Sequence, residues 1–295
     1  MKKESESHNF YVRLLLTIAS GLSFLIYVFV YRIFRYRYEV VIGNLSKSFP
    51  DSSREQIEHY AQEYYRHMGD LVVESLLFVL VNDATRRKFA NYTNAGLLER
   101  FYQGGRNIVT LASHCGNWEY MIDIPRVLNV KSYTAYTPLS NQWIDSYILK
   151  LRSSFGVTLF AKKYFFRNAL SVLKNRNEPC IVVVIADQRP AGGSAKQTVQ
   201  FLDQSTRVQT GAERLALASG AAVLFLECIK KSRFHYDYTF HVVTEDAEHC
   251  QAMEITEAYY RILEENILKS PAHWLWSHKR WKPLPEPEAE PSFSC

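Results

Sequence analysis

Three rhythms of apolar and polar residues divide this chain. The first is an unbroken run: residues 14–31 carry no charge over 18 positions. As a helix that run is about 27 Å long, against roughly 30 Å for the hydrocarbon core of a bilayer. Arg13 precedes it and Arg32, Arg35 and Arg37 follow it, while Tyr27, Tyr31, Tyr36 and Tyr38 suit a lipid–water boundary. The run predicts a membrane anchor within residues 1–38, spanning or lying in the interface. The basic residues that follow it, with no small-residue cleavage site, argue against a secretory signal.

The second rhythm is helical. Residues 39–80 read as helix, restarted at Pro50-Asp51-Ser52-Ser53, where a Ser or Asp can cap the new segment. Tyr60, Tyr64, Met68, Leu71, Val72 and Ser75 recur there at helical spacing and are expected in the core. Further helices are expected at about 118–128, at 141–155 before Gly156, at 210–219 before Gly220, and at 254–268.

The third rhythm is that of strands. Residues 108–113 and 222–229 are apolar, and residues 180–186 (CIVVVIA) form a β-branched run of the kind buried on both faces of a sheet. In residues 235–243, Tyr236, Tyr238, Phe240 and Val242 alternate with polar positions, which predicts one wet face. Interleaved helices and buried strands predict an α/β fold: a mixed, largely parallel sheet flanked by helices over residues 39–283. A Pro- and Glu-rich tail, residues 284–295, is expected to be disordered.

Composition narrows the function classes. Hydrophobic residues make up 47% of the chain, enough for a sizeable core. The net charge of +5 is too mild for a nucleic-acid surface, so nucleic acid is not an expected partner. It suits anionic lipid or an acidic protein. Cys115, Cys180, Cys228, Cys250 and Cys295 are scattered without a C-x-x-C pair. Neither a disulfide framework nor a metal site is expected, and the cysteines read as small apolar residues in a reducing compartment.

The candidate chemistry sits in one turn, His114-Cys115-Gly116-Asn117-Trp118-Glu119, directly after the strand at 108–113. On one continuous helix, positions five apart point about 140° away from each other. His114 and Glu119 can therefore meet only if His114 precedes the helix, with Asn117 as its cap. Glu119 then lies in the first turn, where the helix dipole favours a carboxylate and where it could orient and charge-stabilise the imidazole. His114 and Asp187 both fall at carboxyl ends of predicted strands, where open α/β sheets bind ligands. No G-x-S-x-G elbow, H-E-x-x-H pair, phosphate-binding loop or dinucleotide fingerprint competes with this site.

Several motifs then line up in order. Ser113 to Glu119 resembles the signature of the bacterial lipid A biosynthesis (lauroyl/myristoyl) acyltransferases, within the wider His-x4-Asp/Glu membrane acyltransferases. Tyr136-Thr137-Pro138-Leu139, Arg152 to Gly156, Asp187-Gln188, Phe201, the block from Thr210-Gly211-Ala212 to Gly220 and the closing segment from Trp274 to Lys282 look like later blocks of that family. Asn44-Leu45 and Phe49-Pro50 after the apolar run are similar too. The resemblance implies transfer of a fatty acyl chain from an acyl carrier protein thioester to a hydroxyl of a lipid A precursor or related glycolipid. It implies His114 as general base and Glu119 as its orienting partner. Asn117, Arg152, Asp187, Gln188 and Arg189 would bind substrate, and no cofactor would be needed beyond the acyl donor. It places the catalytic domain on the cytoplasmic side of the inner membrane. Where the family carries Arg or Lys this chain has Thr137, so either Arg152, Lys162, Lys163 or Arg189 supplies the cation or the substrate or activity differs. The residues leave open another cell-envelope acceptor (an aminolipid or a polyene-type lipid), or a thioesterase that activates water.

Overall fold

The computed structural model describes residues 2–138, 140–190 and 197–281; the tail at 284–295 lies outside them. Helix α1 (Lys2–Tyr27) continues through a π-helical stretch, Val28–Ile33, and is followed by α2 (Tyr38–Ser48), α3 (Arg54–Leu80) and α4 (Asp83–Phe89). Then come β1 (Ala90–Tyr92), α5 (Ala95–Gln103), β2 (Ile108–Ala112), a 3-10 turn (Trp118–Asp123) leading into α6 (Ile124–Leu128), β3 (Lys131–Tyr136), α7 (Gln142–Ser154) and β4 (Val157–Ala161). The chain continues with α8 (Phe165–Lys174), β5 (Cys180–Ile185), a β6–β7 hairpin (Thr198–Phe201, Gln204–Arg207), α9 (Gly211–Ser219), β8 (Ala222–Ser232), β9 (His235–Thr244) and α10 (Glu254–Lys269).

Seven strands form one sheet in the order β1-β9-β8-β2-β5-β3-β4. All neighbours are parallel except β8 and β9. The fold is thus a mixed, mostly parallel sheet flanked by helices. Along the central strands successive side chains enter two separate cores: Val109, Leu111, Val182, Val223 and Phe225 on one face, Ile108, Ala112, Ile181, Ala222 and Leu224 on the other. Apolar layers on both faces require the continuous hydrophobic runs seen in the sequence. Strand β9 alternates between buried Tyr236, Tyr238 and Phe240 and partly exposed neighbours, so its one wet face is present as far as Phe240, but Val242, the next residue of the alternation, is 40% exposed.

Two features differ from the pattern reading. The segment after Asn117 opens as a 3-10 turn rather than an α-helix, and Pro125 begins the α-helical part. On α3 the expected stripe is only partly core. Tyr64 is buried, but Val72 is 51% exposed, while His67, Asp70 and Glu74 are buried in its place. The reason is that α3 is packed by α1, by α2, by the turn after β2 and by the segment Pro271–His273, and polar groups meet it there: His67 and Glu74 face the turn, and Asp70 faces Ser23 of α1.

Helix α10, which covers one face of the sheet, starts on a borrowed cap. Glu213 of α9, almost fully buried, accepts hydrogen bonds from the backbone N–H of Met253 (2.6 Å) and of Thr256 (2.8 Å). Glu213→Ala would orphan two N–H groups at a helix start, at a cost of about 1–3 kcal/mol. A lower thermal unfolding midpoint, with secondary structure retained in far-UV circular dichroism below it, is the expected outcome.

Candidate active site

The site follows from the register of two neighbouring strands. Ala112 pairs with Ile185 at the end of the β2–β5 ladder, and Ala186 N–H donates to Ala112 O at 3.2 Å. His114 lies two residues past Ala112 and Asp187 two past Ile185, so parallel pairing delivers them side by side at the carboxyl ends. Two tyrosines of α10 hold this edge: Tyr259 donates to Ala112 O (2.9 Å) and Tyr260 to Ala186 O (3.2 Å).

Asp187, 2% exposed, is met by three donors. His114 Nδ1 lies 2.6 Å from its Oδ1, while the His114 backbone N–H (2.9 Å) and Trp274 Nε1 (2.8 Å) donate to its Oδ2. Burial alone would raise the Asp187 carboxyl, but His114 and these donors outweigh it and hold it below the ordinary range. The imidazole is the mirror case. Burial disfavours the imidazolium, yet the Asp187 carboxylate outweighs it, with Glu119 adding, and His114 titrates above its ordinary value. With Nδ1 facing a carboxylate, Nε2 is the nitrogen left for chemistry. Gln188 Nε2 sits 3.1 Å from it, and the Trp118 ring packs edge-on to the imidazole at 4.8 Å.

The turn between His114 and Glu119 is gripped from beneath. Gly116 has φ +58°, and a Cβ there would collide with Cys228 Sγ, so only glycine fits. Its N–H donates to His273 O at 2.8 Å and its carbonyl faces His67 Nε2 at 3.2 Å. Asn117 is fully buried. Its Nδ2 donates to Glu74 Oε2 (2.7 Å), its Oδ1 accepts from Glu119 N–H (3.1 Å), and its carbonyl accepts from Tyr238 OH. Glu74 also accepts from Tyr236 OH at 2.8 Å, and burial pushes its carboxyl up to about 7.

The expected site residues therefore divide. His114, Asp187 and Gln188 converge. Asn117, expected to bind substrate, has no surface for a ligand, because one end of its amide is engaged within the turn and the other by Glu74 of α3. Glu119 makes its ion pair with Arg152 Nη2 at 3.1 Å, and the partner hydrogen-bonded to the imidazole is Asp187. Of the cations considered as substitutes at Thr137, Arg152 is the one paired with Glu119. Arg189 contributes backbone: its N–H donates to His278 Nε2 and its carbonyl accepts from Gln209. Arg280 is buried against Tyr260 OH (3.0 Å) and so offers no basic surface. Glu119 and Arg152 edge a mostly apolar cleft whose walls include Trp118, Met121, Ile122, Val157, Leu159, Val183 and Ile185, with Ser132 and Thr134 among them; Trp118 is the wall residue that packs on the imidazole. His67, Glu74, Tyr236 and Tyr238 had no motif to announce them. Trp274 did lie in the closing block, but its bond to Asp187 is visible only in the fold.

Residues 17–283 match the family model described as bacterial lipid A biosynthesis acyltransferase. The lipid A biosynthesis palmitoleoyltransferase of Escherichia coli (strain K12) is 24% identical over 259 residues, covering 86% of this chain and 81% of that protein. The lipid A biosynthesis acyltransferase of Shigella flexneri shows the same identity and coverage. A match that runs from within α1 to beyond Trp281 takes in every element that builds the site, and the chain belongs to the bacterial lipid A biosynthesis acyltransferases.

Proposed function

We propose that the protein transfers a fatty acyl chain from an acyl carrier protein thioester to a hydroxyl of a lipid A precursor, with His114 as general base. The observation that carries this reading is the imidazole whose Nδ1 is bound by buried Asp187, which leaves Nε2 for an acceptor. The acceptor hydroxyl takes the place of Gln188 at Nε2 and gives up its proton there as its oxygen attacks the thioester carbonyl. The tetrahedral intermediate collapses with cleavage of the C–S bond, and the imidazolium returns the proton to the leaving thiolate. Asp187 fixes the tautomer and stabilises the imidazolium, while Glu119 adds charge from the rim and ties Arg152 close to the reaction. The apolar cleft suits the acyl chain, since each buried methylene contributes about 0.8 kcal/mol. Exposed Lys162 and Lys163, directly after β4 at the same sheet edge, suit an acidic carrier protein.

Transfer from defined acyl carrier protein donors to lipid A precursors, read by mass spectrometry, tests the assignment. Acyl release that proceeds equally without acceptor would replace it with a thioesterase. His114→Ala should lower turnover by at least about 10²–10⁴ while leaving the unfolding midpoint near that of the parent.

The pH profile has a definite sign. A base must be neutral, so kcat/KM should rise with pH through an acid limb lying above the ordinary histidine value of about 6.5. In Asp187→Asn the counter-charge is gone and burial dominates, so the limb should move to lower pH as kcat falls. Glu119→Gln should move it less. An acid limb unmoved in Asp187→Asn would remove Asp187 from this role.

A further inference from the structure

Among the described residues, Tyr11–Ile33 is the one stretch long and apolar enough to cross a membrane; it spans 23 residues, so Leu22 is its middle. This helix does not stand clear of the catalytic domain. It lies against α3 closely enough that a Cβ on Gly69 would come within 2.6 Å of Ser23 O. Ser23 Oγ donates to Asp70 Oδ1 at 2.6 Å, Arg233 Nη2 donates to Ser20 O at 3.2 Å, and Lys230 Nζ lies 2.8 Å from the same Asp70. The far end has no slack: Tyr65 OH bonds Tyr36 O, and Arg37 Nη1 bonds Ser277 O.

Those contacts decide how a bilayer can meet the helix. The centre of the candidate span touches Asp70 and Arg233, Lys230 is paired with Asp70, and Lys231 next to them is 61% exposed. A perpendicular crossing with this packing would bring that charged cluster to the bilayer mid-plane, where charges are strongly disfavoured. The opposite face is of another kind. Leu14, Ile18, Leu22, Leu25, Phe29 and Ile33 recur every three or four residues and are 44–59% exposed. Neighbouring α3 exposes Val72, Leu76 and Leu80 at four-residue spacing. Arg13 at one end of this helix and Arg32 and Arg35 at the other are exposed. An apolar stripe with exposed guanidinium groups at its two ends complements a leaflet of anionic phospholipid approached from the side.

We propose that α1 is an in-plane membrane helix: it beds its outer stripe into one leaflet while docked on α3, and its N-terminus stays on the same side of the bilayer as the catalytic domain. This rests on the reading that the enzyme works on a lipid acceptor. It goes further in giving the enzyme a membrane-facing side, held one α3 turn from Glu74 and the catalytic turn.

Two measurements test it without any catalytic readout, so their failure is distinct from failure of the acyl-transfer assay. In the first, Ser7→Cys and Glu257→Cys are made separately in the full chain. Each is labelled with a membrane-impermeant maleimide in spheroplasts and in inverted inner-membrane vesicles, with the parent chain as background. Labelling of both positions from the same side supports the proposal; labelling from opposite sides overturns it and makes α1 a spanning helix. In the second, detergent-purified protein is floated with phosphatidylglycerol/phosphatidylethanolamine vesicles. Ile18→Asp/Leu25→Asp, at exposed positions, should keep the parent's unfolding midpoint and bind at least tenfold more weakly. Unchanged vesicle binding by the folded double variant overturns the proposal.

Discussion

Satisfying one buried carboxylate organises the site. Asp187 has almost no exposed surface, and a charge so placed must be matched by donors or be neutralised. Its donors come from two distant segments, the end of β2 and the closing block near Trp274, and Asp187 itself ends β5. Pairing of the central strands, docking of the C-terminal block and the tautomer of the catalytic imidazole are therefore coupled. The block is further tied to α2, where Asn44 Nδ2 bonds both Trp276 O and His278 O. The early Asn44 motif and the late tryptophan motif serve the same junction.

Helix α3 is the second organiser. Its buried polar residues are one turn apart and face two tasks: Asp70 receives α1 through Ser23, and Glu74 holds the catalytic turn through Asn117. Burying such groups is costly unless every partner is present, which makes the network specifying rather than merely adhesive. With Tyr236 and Tyr238 of β9 engaged as well, the turn is fixed by elements far from it in the chain. This rigidity suits a base whose position must vary little.

How much was legible in the sequence depends on how local each signal is. The strands at 108–113 and 180–186 and the helices at 141–155 and 254–268 were legible because burial on both faces, or on one helical stripe, leaves a periodic trace. Strands β3 and β4 were not, since partly exposed residues such as Lys131, Thr134 and Thr158 break that trace. The stripe on α3 misleads for a related reason. Several partners pack on that helix: the catalytic turn selects His67 and Glu74 over apolar residues, and α1 with Lys230 and Arg233 selects Asp70.

The sequence by itself determined the central strands and several of the helices, the apolar run, and a turn carrying His114 at a strand end, because backbone preference and side-chain periodicity act over a few residues. Tertiary structure alone decided which acid meets the imidazole. Glu119 is five residues away but turned toward Arg152, while Asp187, seventy-three residues later, is brought to Nδ1 by parallel pairing of β2 with β5. Proximity along a chain constrains a side chain only within a turn or so. Beyond that, strand register and the demand of a buried charge for donors choose the partner.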